Sequence, residues 1–196
     1  MTQHVHIIES PSATDFYANV REGALLVEAL KLLGIQSKYR IATDLERFKS
    51  ALEEVECNSP SLGPPILHLS MHGDANGLEL SDKSRITWDF LKSLLIPVNA
   101  QLNGKLILCM SSCRGIHGIQ MVVGMPKDER PFAIILGSTF PMLLSDLALG
   151  FLTFYNHYLF KNSGLDNALR AMQVAAGNAY FMKIAADEVT ADLLAS

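Results

Sequence analysis

Three cysteines are too few, and odd in number, to form a disulfide framework, so free thiols in a reducing cytoplasm are expected. Positive charge is scarce too. Lys and Arg total 16 against 20 Asp and Glu, a net charge of −4. That balance offers no basic excess to draw a phosphate backbone, so no nucleic-acid partner is expected. Long apolar runs are also missing. The most apolar stretch, residues 132–160, is interrupted by Ser145, Asp146, Asn156 and His157. It falls short of the ~18 uninterrupted residues of a bilayer span, so no membrane association is expected. The opening MTQHVHIIES holds neither a charged leader region nor a long apolar one, and no signal peptide is expected.

Familiar ligand loops are missing as well. The chain has no G-x-G-x-x-G, no Walker loop, no G-x-S-x-G elbow and no C-x-x-C. His4, His6, His68, His117 and His157 are scattered without supporting a zinc pattern, so neither a metal nor a cofactor is expected.

What is present suits one well-buried domain over residues 1–196: 49% hydrophobic residues, 18% charged, and eight methionines that read as core filler. Residues 4–9 form a short apolar run closed by Ser10, Pro11 and Ser12. From Thr14 to Leu33, Phe16, Val20, Ala24, Val27, Leu30 and Leu33 recur at helical spacing, which predicts one helix ending at Gly34. Residues 38–42 suggest a second strand. Thr43 and Asp44 are placed to cap a helix with Leu45, Phe48 and Leu52 on its inner face. After a turn-rich stretch over 58–65, Ile66–Met71 is continuously apolar, as are 105–110 and 132–137. Between them, 78–88 reads as a polar hairpin and 87–96 as a helix stopped near Pro97. The segment 115–124 reads as a glycine-spaced helix or loop. Two further helices are predicted over 143–161 and 165–186. Continuously apolar strands alternating with helices predict an α/β fold with a central, mostly parallel sheet covered on both faces.

Two of these strands run into reactive residues. Ile66–Met71 leads to His72-Gly73-Asp74, and 105–110 leads to Ser111-Ser112-Cys113-Arg114-Gly115. In open α/β sheets ligands bind at the carboxyl ends of strands, so parallel strands would deliver His72 and Cys113 to one rim. A thiol is mostly protonated at neutral pH, and an adjacent imidazole takes its proton and later returns it to a leaving amine. Gly73 permits close backbone approach, so its N–H and that of Cys113 are candidate oxyanion donors. Cys109, inside its strand, reads as core.

Ser70-Met71-His72-Gly73-Asp74-Ala75-Asn76-Gly77 resembles the histidine motif of the caspase-like cysteine peptidases. Cys113-Arg114-Gly115 resembles the last three residues of the caspase signature Q-A-C-[RQG]-G, and the histidine-to-cysteine interval compares with the roughly 50 residues usual there. The likeness runs over about residues 4–185 and is nearest to the bacterial CHAT-type members of the clan. It implies a three-layer caspase-like (caspase-hemoglobinase) fold and endopeptidase activity through a Cys113–His72 dyad and a thioester. The Gly73 and Cys113 amides would then form the oxyanion hole. It also implies a protein or peptide substrate. Asp74 would either orient the histidine loop or act as a turn carboxylate, and Arg114 would be structural. Ser111 stands where caspases carry glutamine, so aspartate selectivity is not implied. The first specificity pocket is expected around Ser111, residues 10–15, Ser138 and Thr139. An acidic floor from Glu9, Asp15 or Asp146 would select Arg or Lys. The short link from Arg114 to Pro131 argues against processing into two subunits, and no dimerising edge strand is evident after residue 186. Activation by a partner protein or a small signalling molecule, as in bacterial defence effectors, is the corresponding expectation. The alternative is a catalytically silent interaction or ligand-sensing module on the same fold.

Overall fold

Val5–Ser10 (β1), Ser37–Ile41 (β2), Ile66–Asp74 (β3), Ile107–Ser111 (β6), Ile134–Ser138 (β7) and Phe181–Ala185 (β8) form one sheet in the order β2-β1-β3-β6-β7-β8. The computed structural model describes residues 3–55 and 65–189. The turn-rich stretch predicted over 58–65 lies almost wholly outside them, as does Cys57. All pairings along the path are parallel except β7–β8, which is antiparallel. Gly77–Glu79 (β4) and Arg85–Thr87 (β5) add an antiparallel excursion to the end of β3, where a hairpin was predicted.

Successive strand residues point to opposite faces, and here both faces are dry. Ile8, Leu67, Leu69, Leu108, Met110 and Ile135 pack against Leu45–Glu53 (α3) and Trp88–Gln101 (α4). Val5, Ile7, Ile66, Cys109 and Leu136 pack against Glu22–Leu32 (α2), Leu144–Tyr155 (α5) and Leu165–Ala175 (α6). This is the three-layer arrangement that the strand pattern predicted.

Three helix predictions are corrected. The single helix over 14–33 is two, Ala13–Tyr17 (α1) and Glu22–Leu32. Asn19 takes a left-handed backbone (φ 56), which the αR ladder cannot continue. The helix expected to stop near Pro97 runs on to Gln101. Proline removes the bond to the carbonyl of Ser93, but both residues face solvent, so that carbonyl is open to hydration. The helix over 165–186 ends at Ala175. Gly177 turns the chain (φ 65), and residues 181–185 become the antiparallel edge strand β8. An edge strand therefore exists ahead of residue 186.

Candidate active site

The sheet register brings the two sequence motifs together. β3 and β6 pair in parallel up to Ser70↔Ser111, and His72 and Cys113 each lie two residues beyond that pair. Adjacent strands are separated by about 4.8 Å, so both side chains emerge on one rim. β3 continues past the sheet proper, and the pairing of His72 with Glu79 in β4 holds the histidine backbone. β6 instead ends at Ser111 and turns sharply. Arg114 is left-handed (φ 55), exposed, and donates its N–H to Phe140 O at 3.3 Å. A 3-10 helix, Gly115–Val122, follows.

Two glycines make the turn possible. A Cβ on Gly115 would sit 2.6 Å from Met110 Cβ and 2.8 Å from Met110 O. A Cβ on Gly73 would meet Ser112 Cβ at 3.1 Å and Cys113 O at 3.2 Å. The Gly73 backbone therefore abuts the Ser112–Cys113 segment, where the oxyanion donors were expected. Cys113 is half-buried, and its Sγ accepts the Met142 N–H at 3.5 Å. The His72 side chain is 56% exposed, with Nε2 3.9 Å from Asp15 Oδ2.

Both residues open into a cavity of about 260 Å³ at the carboxyl ends of β1, β3 and β6. Its wall includes Glu9, Ser10, Ser12 and Asp15 from the β1 side, Ser70 and Ser111 beneath, and Met142, Leu144 and Leu147 opposite. Among the described residues two carboxylates and no lysine or arginine line it. Glu9 is buried and fixed, accepting from Gly23 N–H at 3.0 Å and Tyr39 OH at 2.5 Å. A larger hollow of about 740 Å³, among Asn99, Lys127, Arg130 and Asp187, includes neither reactive residue.

Other predicted site residues lie outside the cavity wall. Asp74 accepts from Asn76 N–H (2.8 Å) and Arg85 Nη2 (2.7 Å), and these bonds hold its carboxyl below its usual range. It is a turn carboxylate. Ser138 is fully buried and closes the turn to Phe140, donating to Phe140 O and accepting Phe140 N–H. Thr139 donates its hydroxyl to Tyr180 O. Asp146 is likewise not part of the wall.

The sequence reading missed Glu22. It is fully buried on the first turn of α2 and accepts the hydroxyls of Ser70 (2.6 Å) and Ser111 (2.7 Å) directly below the cavity. Only the break at Asn19 would have exposed it as the start of a helix. His68 and His72 do stand at H-x-x-x-H spacing, but on a strand. His68 is fully buried against Tyr155 OH at 2.8 Å, and burial pulls it down to about 3. Among the described residues no group of three or more His, Cys, Asp and Glu could hold a metal ion, and no helix is long and apolar enough to cross a membrane.

The sequence matches no protein-family model and no curated protein. Its structure is similar to solved ones. Among these is the X-ray structure of a secreted C11 cysteine protease from Bacteroides thetaiotaomicron, "iotapain", at TM-score 0.62 and 12% identity. The match covers 96% of this chain and 67% of that one. With its mostly parallel sheet between two helical layers, the chain has the caspase-like fold.

Proposed function

We propose that this chain is a cysteine endopeptidase in which His72 takes the proton of the Cys113 thiol and Cys113 attacks the substrate carbonyl. The supporting observation is the register. Two strands paired to Ser70↔Ser111 carry an imidazole and a thiol, at matching positions, into one cavity. The C–S bond forms as the carbonyl π pair moves to oxygen, where the Gly73 and Cys113 N–H groups are the available donors. His72 then protonates the departing amine, leaving a thioester that water hydrolyses with His72 again as base.

The composition of the wall supports a reading of the side chain accepted. Glu9 and Asp15 line it without a compensating cation, and Ser111 stands in place of the caspase glutamine. The reading is therefore a basic first-pocket residue, Arg or Lys, in a protein or peptide substrate. To test it, a peptide library is digested with wild type, Cys113→Ala and His72→Ala. Cleavage after basic residues, lost in both variants, is the expected result. Cleavage that survives Cys113→Ala would overturn the assignment.

A further inference from the structure

The proposed chemistry makes no use of Glu22, the carboxyl beneath the cavity floor. Glu9, Ser70 and Ser111 form one registered row across β1, β3 and β6, close to where these strands end. Glu22 reaches this row from the α2 face. Its side chain has no solvent exposure. Oε2 accepts from both Ser70 Oγ, at 2.6 Å, and Ser111 Oγ, at 2.7 Å, while Oε1 also accepts from Ser111.

The titratable groups facing Glu22 come from three strands and one helix. On β3, His68 Nε2 lies 3.7 Å from Oε1 and has no hydrogen-bond partner among the described residues. On α5, Tyr155 OH is bonded to His68 Nδ1, with Cys109 of β6 beside it. On β1, Glu9 adds like charge. Among the described residues no lysine or arginine pairs with Glu22. Burial pushes its carboxyl up to about 7, against the pull of the two serine hydroxyls. Apolar side chains at these three positions would be the less costly way to fill such a space.

What the carboxyl does, and an apolar group would not, is join β3 to β6 at their last registered pair. We propose that Glu22 is a positioning residue for the His72–Cys113 pair, holding the two strands at a fixed separation immediately before both reactive side chains. This rests on the peptidase reading of that pair. The carboxylate presents an acceptor on each oxygen, whereas an amide at this position puts a donor against Ser111 Oγ.

The test uses the full chain. Alkylation of Cys113 by iodoacetamide, followed by peptide mass spectrometry, and kcat and KM on an Arg-containing peptide are measured from pH 5.5 to 9. Wild type is compared with His72→Ala, Glu22→Gln and Ser111→Ala. Displacing one reacting group by a fraction of an ångström to 1 Å costs up to about 100-fold. Glu22→Gln should therefore lower kcat about 10- to 100-fold with little change in KM. Ser111→Ala should shift both readouts the same way, by less. If Glu22→Gln does not fold, Ser111→Ala alone decides. A His72-dependent rate with kcat unmoved in these variants would overturn this proposal alone. Cys113 reacting no faster in wild type than in His72→Ala would overturn the peptidase reading, and this proposal with it.

Discussion

Asp15 Oδ2 lies 3.9 Å from His72 Nε2, and the same oxygen accepts the Ser12 hydroxyl at 2.5 Å. Ser12 caps the five-residue helix α1, so the cap that starts this helix also fixes a carboxylate at the mouth of the cavity. The short helix exists because Asn19 breaks the apolar repeat, and the break lets residues 12–20 fold over the rim.

On the basic-substrate reading, Asp15→Asn should lower kcat/KM for an Arg peptide more than for a matched neutral peptide. A charge-assisted hydrogen bond contributes about 1.5–3 kcal/mol, so the Arg-to-neutral ratio should drop about 10- to 100-fold. Steady-state kinetics on the two peptides measures it. An unchanged ratio would remove Asp15 from the specificity assignment.

The cysteines should differ sharply in reactivity. Cys109 is fully buried, with its thiol pushed up to about 12 by desolvation, whereas Cys113 opens into the cavity. Iodoacetamide should modify Cys113 and leave Cys109 intact in the folded protein. His72→Ala should slow Cys113 by about 10²- to 10⁴-fold, the usual range for a positioned general base. That variant should melt within a few degrees of wild type, because the His72 ring is mostly exposed. Comparable labelling of Cys109 and Cys113 would sink the nucleophile assignment.

The parallel layer and the rim at His72 and Cys113 were legible because both depend on local pattern. Short continuously apolar runs bounded by turn residues read as two-sided strands, and the motifs stand at their ends. The edge strand β8 was not legible. Its Phe181-Met182-Lys183-Ile184-Ala185 continues the apolar spacing of α6, and only the turn at Gly177 and the pairing with β7 decide against helix. Glu22 was hidden for a related reason. Inside one long predicted helix it is an ordinary acidic residue. Its burial becomes visible only when α2 starts there and docks on Ser70 and Ser111. The placement of Ser138 and Thr139 likewise depends on the path from β7 towards Tyr180, a long-range relationship with no local signature.

Substituting the glycine after Cys113 should be a stability defect first. In Gly115→Ala the new methyl would lie 2.6 Å from Met110 Cβ and 2.8 Å from a backbone oxygen, so main chain must move. Overpacking of that kind costs about 1–3 kcal/mol. Gly73→Ala meets its neighbours at 3.1–3.2 Å, a tighter fit than usual but not an overlap, so its stability loss should be smaller. Its activity loss should be the larger of the two relative to stability, because the backbone it presses on is that of Cys113. Denaturant midpoints and kcat on the two variants separate the effects. Equal ratios of activity loss to stability loss would contradict the placement of Gly73 at the oxyanion.

Stability should respond to pH through His6. Its ring is completely buried in β1, neither nitrogen has a partner among the described residues, and burial followed by the charge of Lys38 lowers it to about 4. The folded value lies below the unfolded 6.5. The stability contributed by the neutral ring is therefore fully present above pH 6.5 and is lost as pH falls through 4. Glu22 works in the opposite sense. Raised from 4.5 to about 7, it contributes stability below pH 4.5 that is lost as pH rises through 7. His6→Leu leaves Glu22 and His68 in place, so the difference between variant and wild type isolates His6. At pH 7 the variant should be more stable by about 1–3 kcal/mol, since a buried polar group without partners is removed. The gap should widen between pH 6.5 and 4, because only the wild type must take up a proton there on unfolding. Chemical denaturation at pH 7.5, 6, 5 and 4 measures that gap, and a gap that narrows on acidification would show that the ring finds a partner in the folded protein.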